Sequence, residues 1–72
     1  MRLEVGKAYR IKHSRKGSFT ARITGVDLSF TSAIITDGKA EAILKGSERH
    51  IGETVIFRTS FVTSAVEQEE KG

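Results

Sequence analysis

Apolar residues recur at every second position along most of this chain. Leu3, Val5, Tyr9 and Ile11 share one parity, while Arg10 and Lys12 share the other. Phe19, Ala21 and Ile23 then alternate with Thr20, Arg22 and Thr24. A period of two marks a strand with one face buried and the other in water. The pattern predicts strands over about 7–13 and 18–25, joined by a short loop in which Gly17 can take a positive φ at little steric cost. Residues 28–36 form a third run, rich in Thr, Phe and Ile, that stops at Asp37-Gly38. That dipeptide favours the type I′ turn of a two-residue hairpin, which makes Ala40 to Leu44 the returning strand. The segment KAEAILK also has good helix propensity, so a single helical turn is the alternative there. A loop over 46–52 follows, then a strand over 54–59 with Val55 and Phe57 on one side. Phe61, Val62 and Val66 open a last short strand or extended segment, and from Glu67 onward EQEEKG reads as a frayed tail.

Five or six short strands with no long helix predict an all-β fold, a small antiparallel barrel. Barrel closure removes the open edges that so short a sheet otherwise exposes. The absence of proline is compatible with continuous ladders. The 72 residues make one domain over 1–66 with the acidic tail at 67–72. A core of this size rarely supplies more than about 3–5 kcal/mol, and with no cysteine there is no disulfide to add to it. The lack of cysteine fits a reducing compartment, and no run approaches the length of a membrane span. MRLEVGKAYR has no apolar core of a signal peptide. The expectation is a soluble, cytoplasmic protein with no membrane partner.

Four stretches, GKAYRI, HSRKGSF, TDGK and GETVIFR, give residues 5–66 a resemblance to an SH3-like small β-barrel, of the broad type that includes Tudor, KOW and Sm-like modules. The resemblance implies a fold and no particular activity. The strand YRIKHSRKG lacks the glycine that a KOW element has ahead of its basic residues. Tyr9 and four phenylalanines, mostly at inward parity, do not supply the aromatic cluster of a methyl-lysine reader.

Charge placement is the one lead to function. Six of the twelve cations, Lys7, Arg10, Lys12, Arg15, Lys16 and Arg22, fall between Glu4 and Asp27 with no acid among them. Antiparallel pairing of the first two strands brings Arg22 near the Arg10–Lys12 row, with Arg15 and Lys16 in the loop. Like charges so grouped repel, and phosphate would relieve that repulsion. Ser14, Ser18 and the backbone N–H groups around Gly17 would add donors for phosphate oxygens. The expected function is therefore a non-catalytic nucleic-acid-binding module, for DNA or RNA. Its phosphate contacts would come from Arg10, Lys12, Arg15, Lys16 and Arg22. The bland alternative is a solvated basic surface. Only Phe30 or Phe61 is left as an exposed stacking platform, so binding should be led by the backbone and depend steeply on salt.

A protein-interaction module is the competing expectation. Ser47, Glu48, Arg49 and His50 form a polar loop between Gly46 and Gly52 that can meet a protein partner. Ile35, Ile43 and Ile56 lie at the minority parity of their strands. They either complete the barrel wall or form an exposed patch, and a patch would mark the interface of a homo-oligomer. Small accessory proteins of phages and other mobile elements have the same compact, cysteine-free form. His13 and His50 read as polar surface, with no convergent ligands for a metal. No nucleophile elbow, activated cysteine or carboxylate pair is visible, so neither enzyme activity nor a cofactor is expected.

Overall fold

In the computed structural model, which describes residues 2–42, 44 and 46–68, the chain is all-β. Five strands run in order: β1 (Ala8–His13), β2 (Gly17–Val26), β3 (Phe30–Gly38), β4 (Thr54–Arg58) and β5 (Val62–Gln68). A 3-10 turn at Thr59–Phe61 joins the last two. All pairings are antiparallel, and the strands form one sheet in the order β4-β3-β2-β1-β5.

Alternation decides which face is buried. Tyr9, Ile11, Phe19, Ala21, Ile23, Ala33, Ile35, Val55 and Phe57 all point inward and are almost wholly inaccessible. Among the described residues neither a second sheet nor a long helix covers them, so the sheet must curl over its own inward face. Two register shifts between β2 and β3, at Thr20/Ala21 with the extra residue Thr36 on β3 and at Ile23/Gly25 with the extra residue Thr24 on β2, supply the bend. Extra residues on one strand sharpen its twist and turn it. Curling brings Phe57 of β4 against Phe19 of β2 at 5.8 Å between centroids, and against His13 of β1 at 5.5 Å.

The expected closed barrel is corrected in one respect. No ladder joins β4 to β5 among the described residues, so the sheet is curled and open along that seam. The His13 side chain bridges it instead, donating to the Arg58 carbonyl of β4 (3.1 Å), while the Ser14 N–H prolongs the β1–β5 pairing by donating to the Phe61 carbonyl (3.0 Å).

Among the described residues of 40–44 no strand forms where one was predicted, and Ile43 lies outside them. A type I′ turn needs positive φ at both central residues, and of Asp37 and Gly38 only Gly38 has it (+75°). β3 therefore runs on past Asp37, pairing Thr20 with Asp37 and Phe19 with Gly38. Ala40 makes only an isolated bridge to Arg49, and the loop returns through Gly52, whose N–H donates to the Ile35 carbonyl. Glu67 and Gln68, expected in the frayed tail, pair with Tyr9 and Ala8 at the end of β5.

Candidate nucleic-acid interface and cleft

The β1–β2 hairpin carries the basic residues and fixes their spacing. His13 pairs with Gly17, which leaves Ser14, Arg15 and Lys16 as a three-residue turn. Gly17 closes it at φ +77°, the left-handed position that such loops favour. A Cβ there would stand 2.8 Å from the Glu41 carboxylate, the end of an exposed side chain that can move aside, so glycine is required by conformation rather than by space. Glu41 is anchored over the turn by its own N–H, which donates to the Lys16 carbonyl at 2.9 Å.

Register then groups the cations. Arg10 faces Thr20 and Lys12 faces Ser18, all four with side chains on the outer face. Arg22 lies opposite Ala8, one diagonal step from Arg10, as the sequence predicted. Arg10 and Lys12 are roughly 6.7 Å apart along the strand, and the diagonal to Arg22 is about 7–8 Å. Arg10, Lys12, Arg15 and Lys16 have no ion pair among the described residues, whereas Lys7 is engaged by Glu4 (2.8 Å) and Glu67 (3.6 Å). The Glu4 carboxyl is accordingly held below its usual range, first by the hydrogen bond from Lys7 and then by its charge.

His13 departs from its expected place on the surface. It is 5% exposed, at the same inward parity as Tyr9 and Ile11. Its ring meets Phe57 and Phe61 edge-on, at 5.5 and 5.9 Å between centroids. Nδ1 accepts the Arg15 N–H at 3.1 Å, so the ring proton sits on Nε2 and is donated to the Arg58 carbonyl, also at 3.1 Å. The histidine thereby ties the basic turn to the far side of the seam. Burial pushes its pKa down, and the charges of Lys16 and Arg15 act the same way against the opposing pull of the Arg58 carbonyl.

Where the sheet stays open there is a cleft of about 480 Å³. Phe57, Phe61 and His13 line its apolar floor, Leu44 and Ile56 its flank, and Arg15, Lys16 and Arg58 its edge. Two arginine–phenylalanine stacks border the seam. The Arg15 guanidinium lies 5.2 Å from the centre of the Phe61 ring, and that of Arg58 lies 5.0 Å from Phe30. Sequence reading left Arg58 out of the basic set. Its only signal was an outward cation at the end of the Val55–Phe57 alternation.

The residues expected to serve a protein partner are scattered. Ile35 is 1% exposed and belongs to the core, which corrects its place in an apolar patch. Ile56 is exposed on the outer face, diagonal to the exposed Ile34, and Ile43 lies outside the described residues. In the 46–52 loop, Arg49 is folded back on the carbonyls of Ser47 and Glu48, and Glu48 is half-buried. His50 is exposed, its N–H donating to the Glu53 carboxylate at 2.8 Å. Among the described residues no group of three or more His, Cys, Asp or Glu stands together as a metal site. None of their helices is long and apolar enough to cross a membrane. Compared with protein-family models, curated proteins and solved structures, the chain matches none of them.

Proposed function

We propose that this protein is a non-catalytic nucleic-acid-binding domain whose first hairpin holds phosphates. One observation carries the reading: Arg10, Lys12, Arg15 and Lys16 share one hairpin with no carboxylate partner among the described residues. Unneutralised cations a strand-pleat apart raise the local potential and cost folding energy, and a polyanion relieves that cost by releasing its own counterions. Thr20 and Ser18, opposite Arg10 and Lys12, would add hydroxyl donors to phosphate oxygens. The contacts are to the backbone, so the interaction would depend steeply on salt and little on sequence. A cytoplasmic setting, where nucleic acid is abundant, suits this role.

The test is the salt dependence of binding to duplex DNA, followed by fluorescence anisotropy. Arg15→Ala with Lys16→Ala should lower the slope of log K against log salt by up to about 0.9 for each phosphate that is no longer neutralised. An unchanged slope would remove the turn from the interface. A second reading, a protein-interaction module of the kind small accessory proteins supply, rests on the exposed Ile34 and Ile56 of the outer face. It predicts that binding to a partner fails on substitution of those isoleucines or of Glu48 and Arg49, with nucleic-acid affinity unaltered by the changes at Ile34 and Glu48, which lie away from the cleft.

A further inference from the structure

The cations of the turn do not face open solvent on every side. Arg15 and Lys16 line the cleft together with Arg58, whose guanidinium is turned onto Phe30 of the neighbouring strand. Between them the floor is aromatic and aliphatic, and Phe61 is roofed by the Arg15 guanidinium. A purely phosphate-binding surface has no use for such a floor. A duplex cannot reach it either, because its bases are stacked inward and only its backbone meets a shallow surface.

Unpaired bases do fit. They stack on aromatic rings and guanidinium planes, and a cleft of about 480 Å³ is of the size that admits a nucleoside. Its polar groups are few and mixed in kind. The Ser47 hydroxyl and the Glu41 carboxylate also line it, a donor-acceptor and an acceptor suited to the edge of a base. Both ring nitrogens of His13 are already engaged, so that residue contributes only its ring to the floor. A smaller recess adjoins the cleft, sharing Lys16, Ser47 and Ile56 and adding Arg49, so the cationic edge continues for a further phosphate.

Resting on the phosphate-binding role of the hairpin, we infer that the natural ligand is single-stranded nucleic acid, with one unpaired base seated in the cleft against the Arg15–Phe61 stack and its flanking phosphates on Arg15 and Lys16.

The experiment measures anisotropy with four probes at low salt: a labelled oligothymidylate, an abasic oligomer of equal length, a duplex and labelled polyglutamate. The oligothymidylate should bind about 5- to 150-fold more tightly than the abasic oligomer, the equivalent of the roughly 1–3 kcal/mol a stacked base contributes. Phe61→Leu should abolish that advantage while leaving the salt slope intact, because it removes no charge. Leu44→Ser is a second variant, adding no charge at a largely exposed position where substitution leaves folding undisturbed, and it should weaken the oligothymidylate alone. Equal affinity for the oligothymidylate and the abasic oligomer, or for polyglutamate, would overturn the seated base and leave the phosphate-binding hairpin standing. Binding of none of the four would overturn both.

Discussion

His13 holds the seam together, and its replacement probes how the fold is closed. The ring is buried, makes two edge-on aromatic contacts and engages the Arg15 N–H and the Arg58 carbonyl on opposite sides of the opening. His13→Phe keeps a ring of similar size but strands both backbone groups. Each stranded group costs about 1–3 kcal/mol when buried, and partial hydration at the seam brings the pair to roughly 2–3 kcal/mol. His13→Ala also removes the ring packing and leaves a cavity, for a total of about 3–4 kcal/mol. A domain whose core supplies roughly 3–5 kcal/mol would then be only marginally stable at room temperature, with a measurable unfolded fraction. Urea denaturation followed by far-ultraviolet circular dichroism measures this, since the chain has no tryptophan.

The same residue sets a pH dependence. Burial, Lys16 and Arg15 lower its pKa in the folded state, so the unfolded chain takes up a proton more readily. The stability this provides is fully present above the unfolded value near 6.5 and is lost as pH falls from there to the folded value. In that window the slope approaches about 1.4 kcal/mol per pH unit, one proton's worth. Midpoints measured at intervals from about pH 8 to pH 5.5 should decline for the natural protein and stay level for His13→Phe. A level profile in the natural protein, or the same decline in the variant, would refute the account of the seam.

Other substitutions test other joints. Gly17→Ala forces a side chain into the left-handed region, and should lower stability by about 1–2 kcal/mol in the same urea assay. Thr31→Val breaks the 2.6 Å hydroxyl hydrogen bond with Thr59 that fastens β3 to the 3-10 turn, a cost of about 1 kcal/mol read as a lower melting temperature. Ile34→Lys with Ile56→Lys touches only exposed outer positions and should change stability by less than about 0.5 kcal/mol per site. Its sedimentation profile should match that of the natural protein, unless that face joins copies of the chain.

Much of this architecture was legible because the alternation of Tyr9–Ile11, Phe19–Ile23 and Val55–Phe57 is unbroken, and each segment became a strand. β3 misled because its inward positions include the small residues Thr31 and Ala33, while the bulky Phe30 and Ile34 face outward. Counting apolar side chains there assigns Ile35 to the wrong face. Asp37-Gly38 carried the local signal of a hairpin, but the length of β2 offered β3 further partners, and tertiary pairing prevailed over turn propensity. His13 was marked by its parity with Tyr9 and Ile11, a signal that its polarity concealed. The grouping of Arg10, Lys12 and Arg22 followed from one antiparallel register. The cleft did not, since Arg15, Glu41, Phe57 and Phe61 come from separate parts of the chain and meet only when the sheet curls.

The most direct test of the phosphate-binding hairpin is a residue-by-residue map of amide chemical shifts during titration with a short single-stranded oligonucleotide at low salt. Shifts concentrated at Arg10, Lys12, the 14–17 turn and Phe61, and reversed by added salt, are the predicted result. Shifts confined to the 46–52 loop or to the Ile34–Ile56 face, or none at all, would contradict it.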